Sequence, residues 1–422
     1  MKKITINRIN EDIYYEKLDN GLDVYLYVDN NIHNNYVTFT TKYGSIYNEF
    51  KDNNGKMIKV PNGIAHFLEH KVFVQENDPQ PEEFYGDMGG ICNAYTTFKN
   101  TTYLFSSTDN LDKGIEYLLD FVQNLYLTEE SVESEKGIIT QEINMCDDRP
   151  MDILYEKIRK NSISKNPFKE SIIGEIDEIN SITKDLLTSC YNRFYHPSNM
   201  FLVVTGNFDK DKILDVIKNN QSKKEFPKEN KIELKEYKED DKIVKKYEVV
   251  KCNTNIPKIA YTIKIPLDKF DMDIRKLSIY MYIIFNLLFG DTSSFDEEAK
   301  KDGIITNTIY YNILNIDSHF VISLINSTDK YKELEERIDK EFKDIKFDER
   351  DIDRKKKVLI SNEIFSYENI EMINEMIIDN IIFDNKIEDD IVSVIESINI
   401  DELNDIVKKI DFNNKSVVIV KK

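Results

Sequence analysis

The chain has 422 residues, and its 57 Lys and Arg against 77 Asp and Glu give a formal net charge of −20. Such a surface repels nucleic acid and anionic membranes and favours cationic partners or peptides, although it serves solubility equally well. The hydrophobic content of 41% is enough to bury real cores, which excludes a disordered chain. We therefore expect a folded protein that binds neither nucleic acid nor membrane.

The sequence predicts neither a signal peptide nor a membrane-spanning segment. No apolar run follows the N-terminal lysines, so we expect no signal peptide. The longest apolar stretch, 277–289, is too short to span a bilayer. The four cysteines are scattered without a CxxC motif, which is typical of reduced thiols. These features predict a cytoplasmic protein.

The first half of the chain predicts a mixture of strands and helices. Alternating apolar residues indicate strands, and apolar residues at three- and four-residue spacing indicate helices. In chain order we predict strands at 22–28 and 36–44, a helix at 64–74, strands at 91–98 and 102–106, a helix at 113–125, a long helix from 128, a strand at 200–206 and a helix at 210–218.

A polar segment then divides the chain. Residues 221–242 are almost all polar or charged, which is a linker composition. We therefore predict an N-terminal domain at 1–220 and a C-terminal domain at 243–422. The second half predicts a strand at 258–265, a helix at 274–288, a hairpin at 307–325, helices from 330 and 352, and a strand at 415–421.

The two halves resemble each other. The phrase EKGIITQEINMCDD (135–148) has a counterpart in RKKKVLISNEIFSYEN (354–369), each a basic and apolar run that ends in a Glu-Ile pair. We predict a duplicated α+β unit whose second copy lacks the histidines. The alternative is two unrelated α+β domains.

A motif in the segment PNGIAHFLEHKVF (61–73) indicates metal chemistry. It holds two of the five histidines of the chain, His66 and His70, with Glu69 between them. On a helix, residues four apart lie on one face, so both imidazoles can bind one ion, for which zinc is suited. Glu69 then flanks the metal, where a base would take a proton from a metal-bound water. Paired histidines also occur simply as packing or capping residues.

A third ligand has to come from elsewhere, because a catalytic zinc needs three protein ligands and an open position. The long helix after Thr128 is the best source. Thr128 is suited to its N-cap, and Glu135 and Glu142 lie two turns apart on one face. The residues alone do not choose between these two glutamates, and helical glutamates are usually solvated.

These motifs resemble the M16 zinc peptidases, the family of insulinase, pitrilysin and the mitochondrial processing peptidase. The resemblance extends over nearly the whole chain and rests on the inverted His-x-x-Glu-His motif, on the pair EKGIITQE (135–142), and on the segments at 89–105, 195–209 and 287–307. The phrases GIAHFLEHKVF and KGIITQEINMCDDRP are most similar to the bacterial subgroup associated with the aminopentanol modification of elongation factor P.

The resemblance implies a LuxS/MPP-like fold, with two homologous domains that each have an antiparallel-type sheet covered by helices. It implies that His66, His70 and Glu142 bind one zinc ion per chain. It assigns Glu69 as the base and Glu135 as a supporting catalytic residue. It also implies that Asn93, Ala94 and Tyr95 bind the substrate, because they lie in the segment that matches the family's edge strand, which pairs with the substrate backbone.

The resulting hypothesis is a zinc-dependent endopeptidase acting on peptides or unfolded polypeptides. Two alternatives are a noncatalytic subunit or scaffold and a zinc hydrolase of another substrate. Many family members carry an Arg and a Tyr where this chain has Glu297 and Ile304. An open zinc face would leave a sheet edge uncovered. We therefore expect a homodimer, or a heterodimer with a related chain that lacks the motif. A monomer whose two halves close on the substrate is the alternative.

Overall fold

The computed structural model describes residues 1–51, 55–77, 79–228 and 231–422. Its strands are β1 (Lys2–Ile6), β2 (Glu11–Lys17), β3 (Asp23–Val28), β4 (Asn35–Thr41), β5 (Glu49–Lys51), β6 (Met57–Lys59), β7 (Ile91–Thr96), β8 (Thr101–Ser107), β9 (Met200–Gly206), β10 (Tyr247–Lys251), β11 (Lys258–Pro266), β12 (Tyr310–Asn315), β13 (His319–Ser327) and β14 (Lys415–Lys421).

Helices account for most of the remaining described residues. They are α1 (Ile64–Val72), α2 (Pro81–Asp87), α3 (Leu111–Val122), α4 (Glu129–Asp147), α5 (Pro150–Ser162), α6 (Ile176–Ser181), α7 (Lys184–Phe194), α8 (Lys210–Ser222), α9 (Ile274–Phe289), α10 (Ser294–Lys301), α11 (Tyr331–Glu341), α12 (Glu349–Ser366), α13 (Ile370–Asp379), α14 (Ile391–Ser397) and α15 (Ile400–Lys409). Within the described ranges, no helix is both long and apolar enough to cross a membrane.

The two large sheets share one connectivity. The first has the strand order β1-β2-β3-β9-β4-β8-β7 and the second β10-β14-β11-β13-β12. In the first, β9 is parallel to β3 and antiparallel to β4, and β8 lies between β4 and β7. In the second, β14 is parallel to β10 and antiparallel to β11, and β13 lies between β11 and β12. The first sheet therefore repeats in the second, with β1 and β2 added, and the predicted α+β fold of two homologous halves is confirmed.

The chain folds as two compact units that interleave in the sequence. Unit 1 contains residues 1–143, 171–236 and 364–391, and unit 2 contains 144–170, 237–363 and 392–422. The division at 236–237 lies inside the predicted linker 221–242, of which residues 229 and 230 lie outside the described part. The units differ from the contiguous domains predicted at 1–220 and 243–422, because α5 belongs to unit 2 and α13 to unit 1.

The central strands of the first sheet are buried on both faces. Along β3, Val24 and Leu26 belong to one core and Tyr25 and Tyr27 to another, because successive side chains point to opposite faces of a strand. The first core contains helices α1, α3, α7 and α8, and the second contains isoleucines of α13. A strand covered on both sides has a continuous apolar sequence, as in MFLVVTG of β9.

Helix α13 is fixed on this sheet by the fully buried side chain of Asn374. Its Oδ1 accepts a hydrogen bond from Thr38 Oγ1 (2.6 Å), and its Nδ2 donates to the carbonyls of Tyr36 and Val203 (3.3 Å each). These partners lie on β4 and β9. Asn374 therefore supplies partners for buried polar groups that would otherwise have lost water without compensation.

Glu239 lies in the predicted linker and binds the backbone just after the end of α5, within unit 2. Its carboxylate accepts from the backbone N–H groups of Ser164, Lys165 and Asn166 and from the ammonium of Lys264. Burial alone would raise the pKa of Glu239, but these donors lower it to about 2. Part of the predicted linker is thus an anchor.

We expect Asn374→Leu to lower the free energy of unfolding by about 2 kcal/mol, because the buried Thr38 hydroxyl loses its acceptor and the carbonyls of Tyr36 and Val203 each lose a donor. Chemical unfolding followed by circular dichroism measures the change. The control is Met372→Ala on the same helix, since Met372 is 52% exposed. Equal stability of the two variants would contradict the role given to Asn374.

Candidate metal centre

Helix α1 begins at a sharp turn that only glycine accommodates. Gly63 has φ of +83°, and a Cβ there would lie 2.5 Å from the carbonyl oxygen of Ile173. The carbonyl of Gly63 accepts the N–H of Phe67 in the first helical turn (2.8 Å). Its conformational freedom therefore fixes where the helix begins and how it enters the core.

The core-facing side of α1 agrees with its sequence pattern. Its apolar residues are all buried, namely Ile64, Ala65, Phe67, Leu68 and Val72. They belong to the first core, which also contains residues of α3 and α7. This packing fixes the rotation of the helix and thereby the direction of the polar positions between them.

Helix α4 has the N-cap that the sequence predicts. Thr128 Oγ1 accepts the N–H of Ser131 (3.0 Å), and Ser131 Oγ accepts the N–H of Thr128 (3.2 Å). Farther along, Val132, Ile139 and Ile143 are buried in the first core. This apolar stripe turns the face that carries Glu135 and Glu142 towards α1.

The side chains of His66, His70 and Glu142 converge. One ligand atom from each lies within 4.8 Å of the other two. Glu142 Oε1 is 3.7 Å from His66 Nε2, and Glu142 Oε2 is 3.8 Å from His70 Nε2. Ligands about 2.0–2.2 Å from one tetrahedral zinc lie about 3.4 Å apart. Two imidazoles and a carboxylate at these separations therefore fit a zinc ion.

Glu135 supports this cluster from the other side of His70. Its Oε1 lies 3.0 Å from His70 Nδ1, and its Oε2 accepts from Lys71 Nζ at 3.2 Å. Lys71 also donates to the carbonyl of Ser131 (3.2 Å) and is only 2% exposed. A carboxylate on Nδ1 makes that nitrogen the N–H donor and leaves Nε2 as the basic atom that points at Glu142.

Glu69 is bound separately from the three ligands. Its Oε2 accepts a hydrogen bond from Thr96 Oγ1 on β7 at 2.5 Å. Burial raises the pKa of Glu69, although the Thr96 hydrogen bond and the nearby His70 oppose this. A carboxylate with a raised pKa, held on one oxygen, is suited to accept and then release a proton.

The two histidines differ in their titration. Burial, with the charge of His70 as a second cause, lowers the pKa of His66 to about 3, so its ring is neutral. Burial also disfavours the charged form of His70, but the Glu135 hydrogen bond and the charges of Glu135, Glu69 and Glu142 give a net rise in its pKa. Both rings must be neutral to bind a metal, and a dication at Nε2 would oppose the protonation of His70.

The predicted substrate strand is the last strand of its sheet. β7 pairs with β8 and ends the sheet order among the described residues. Asn93 is exposed, and its Oδ1 accepts the N–H of Ala94 (2.9 Å). The hydroxyl of Tyr95 donates to Glu375 Oε2 of α13 (2.7 Å). The Tyr95 hydroxyl therefore holds α13 at β7.

Other positions of interest are not among the ligating residues. Ile304 is buried in the core of unit 2, and Glu297 is exposed on α10. His196 Nδ1 accepts the N–H of Ser198 (3.2 Å), and His319 Nε2 lies 3.2 Å from Asp241. These last two contacts hold each ring to a neighbouring group outside the ligand cluster.

Sequence reasoning missed three residues, namely Thr96, Lys71 and Glu375. Thr96 lies two residues after Ala94 on the same strand, so strand alternation could have placed both on one face. Lys71 was visible as a charge inside an apolar helix beside His70. No local signal identified Glu375, because its partner is 280 residues away.

Comparison with known proteins agrees with this geometry. Residues 33–176 match the family model for insulinase (peptidase family M16), and residues 181–359 match that for the peptidase M16 inactive domain. The uncharacterized zinc protease YmfH of Bacillus subtilis is 40% identical over 314 residues, which cover 74% of this chain and 73% of that one.

A solved structure and a more distant relative complete the comparison. The M16-like peptidase from Alicyclobacillus acidocaldarius superposes with a TM-score of 0.91 at 29% identity, covering 97% of this chain and 98% of that one. The mitochondrial-processing peptidase subunit beta of Caenorhabditis elegans is 29% identical over 159 residues, which are 36% of this chain and 34% of that one.

A duplicated α+β fold with two histidines and a glutamate gathered in one copy is typical of metallopeptidases. The family-model matches in both halves and the extent of the similarity to YmfH identify the family within that class. The chain belongs to the M16, or insulinase, family of peptidases.

Removing one ligand should empty the metal centre. We expect purified protein to carry about one zinc per chain and His70→Ala to lose it, because two remaining ligands coordinate too weakly. Elemental analysis after dialysis measures the metal. The control is His33→Ala, an exposed histidine outside the cluster. Full zinc in His70→Ala would exclude this site.

Proposed function

We propose that this protein is a zinc-dependent endopeptidase that hydrolyses peptides or unfolded polypeptides. The observation that carries the proposal is the convergence of His66, His70 and Glu142 beside a half-buried glutamate, Glu69, that is held by its own hydrogen bond. The zinc proteases among the relatives support the same chemistry. When bound, zinc lowers the pKa of a coordinated water to about 7 and polarises a carbonyl.

Glu69 is the general base of the proposed reaction. Thr96 holds its Oε2, so we assign Oε1 to take the proton of the attacking water and to pass it to the leaving amine. The burial of Glu69 favours the protonated form between these two transfers. Thr96 fixes the direction of the carboxylate.

Glu135 positions His70. The carboxylate accepts the Nδ1–H of that ring and orients Nε2 towards the metal position. Lys71 lies on the second oxygen of Glu135, and this pairing keeps the carboxylate ionised. Although burial would raise the pKa of Glu135, the hydrogen bond from His70 and the charge of Lys71 lower it overall.

The edge of β7 is the proposed substrate site. An extended peptide would add as a strand beside Asn93 and Ala94, with main-chain hydrogen bonds that depend little on its sequence. The position of β7 at the end of its sheet, with Thr96 on the same strand in contact with Glu69, supports this arrangement. Such an edge accepts unfolded chains and excludes folded ones.

A noncatalytic subunit is the second candidate function. It is favoured by the match of residues 181–359 to the M16 inactive domain. The half-buried, hydrogen-bonded Glu69 argues against it, because a scaffold has no use for a base beside its metal ligands. The phrases at 63–73 and 136–150, which resemble the subgroup associated with elongation factor P modification, support a role in that pathway and name no substrate.

A substitution of Glu69 distinguishes a general base from a metal ligand. We expect Glu69→Gln to retain zinc and to lose hydrolysis of a mixed peptide library by on the order of a hundredfold or more, since an amide cannot accept the proton. Elemental analysis and a fluorogenic peptide assay measure the two properties.

The matched control for this variant is Glu83→Gln, an exposed glutamate on α2. Loss of zinc from Glu69→Gln would make Glu69 a ligand and overturn its assignment. Unchanged activity in a zinc-loaded Glu69→Gln protein would favour a different base.

Assembly is the remaining part of the proposal. The open edge at β7 and the absence of the family's Arg and Tyr at Glu297 and Ile304 support a second chain, either a copy or a related chain without the motif. The name of the C. elegans relative, a subunit of a processing peptidase, gives a precedent in that protein.

We therefore expect the specific activity to fall on dilution as the dimer dissociates, with light scattering following the change in mass. A monodisperse monomer with full specific activity at nanomolar concentration would contradict a required partner.

A further inference from the structure

Unit 2 contains a pocket of about 400 Å³ that the proposed peptidase reaction does not use. Its wall is formed by Tyr282 and Asn286 of α9, Tyr311 of β12, and Lys355 of α12, together with residues 290–292. The volume lies within the usual range for small-molecule sites.

The position of this pocket in the repeat is informative. In chain order α9, β12 and α12 of unit 2 correspond to α1, β7 and α4 of unit 1, and β12, like β7, ends its sheet. Those three elements of unit 1 supply the metal ligands, Glu69 and Thr96. The pocket is therefore built from the elements that correspond to those of the metal centre, and Tyr282 and Asn286 are, like His66 and His70, four residues apart on the helix.

A buried cation faces this space. The side chain of Lys355 is 8% exposed, and its Nζ donates to Thr292 Oγ1 at 2.9 Å. The carboxylate of Asp291 lies 3.9 Å away and is itself 78% exposed, so it compensates the buried charge weakly. A buried ammonium with donors to spare favours an anion as an additional partner.

The other groups on the wall limit the kind of anion. Arg354 also lines the wall. It pairs with Asp351 at 2.9 Å, and its Nη2 lies 3.4 Å from Thr292 Oγ1, so Arg354 and Lys355 both flank Thr292. The remainder of the wall is mainly apolar and aromatic, with Ile283, Ile309 and Leu359 beside the tyrosine rings. A bare inorganic anion would leave these surfaces without contacts, whereas an apolar group would bury them.

We propose that this pocket binds an apolar group that carries a single carboxylate, with the carboxylate on Lys355 and Thr292. The amide of Asn286 donates to Tyr311 (3.1 Å) and holds that ring against the space where the apolar part lies. A free carboxylic acid and the C-terminal end of a peptide share this chemistry. The site is separate from the proposed peptidase centre and does not depend on it.

The test uses the full-length, zinc-loaded protein and N-acetylphenylalanine as the probe, titrated by calorimetry. We expect saturable binding that weakens at least tenfold when the probe is N-acetylphenylalanine amide, because the amide has no charge to pair with Lys355. Lys355→Met and Thr292→Val should each weaken binding of the acid. Lys357→Met is the matched control, since Lys357 is exposed on the same helix and lies outside the pocket.

The outcomes separate the sources and the sites. Equal binding by a phenylalanine-terminated pentapeptide supports the proposal with a peptide end as ligand, and binding of the single residue alone supports it with a free acid. Binding that survives Lys355→Met and Thr292→Val in folded protein but disappears in His70→Ala would place the acid at the metal centre and overturn the proposal. Equal affinity for acid and amide, or no binding of the acid, would overturn it too.

Discussion

The carboxylate of Glu135 joins the two helices on which the metal centre depends. Its oxygens contact His70 Nδ1 at 3.0 Å and Lys71 Nζ at 3.2 Å, so α1 and α4 are tied through adjacent residues of α1. His70 and Glu142 are 72 residues apart in the sequence, and their geometry exists only while these helices keep their distance. A buried ion pair is costly unless its remaining hydrogen bonds are satisfied. Lys71 meets this condition through the carbonyl of Ser131.

The sequence could predict what depends on local pattern. The strands at 200–206 and 415–421 have the predicted bounds, and α1 and α4 begin within a residue or so of their predicted starts. Strand β10 was missed because its sequence, YEVVK, is short and lies next to the polar segment. The sequence pattern could not assign α5 and α13 to their units. Periodicity identifies the apolar face of a helix, but it does not tell which sheet that face covers.

The site shows the same limit. His66, His70 and Glu69 share one helix, so their spacing alone brought them together. Thr96 and Glu375 act through partners on other elements, and their value depends on tertiary packing that no single segment encodes. Glu239 was misjudged in the opposite direction. It lies in a charged segment with a linker composition, yet its buried carboxylate accepts hydrogen bonds from three backbone N–H groups. Composition averages over a segment, whereas burial is decided residue by residue.

The interleaving of the units has a consequence for synthesis. The ribosome delivers the chain from its N-terminus, and domains fold as their segments emerge. The face of the first sheet formed by Tyr25, Tyr27, Phe201 and Val203 has to wait for the isoleucines of α13. Until about nine tenths of the chain has been made, this apolar face lacks its cover, and Tyr95 of β7 lacks Glu375. Nascent chains thus complete the β7 edge beside the candidate metal centre only near the end of translation, so the proposed hydrolysis also waits until the protein is almost whole.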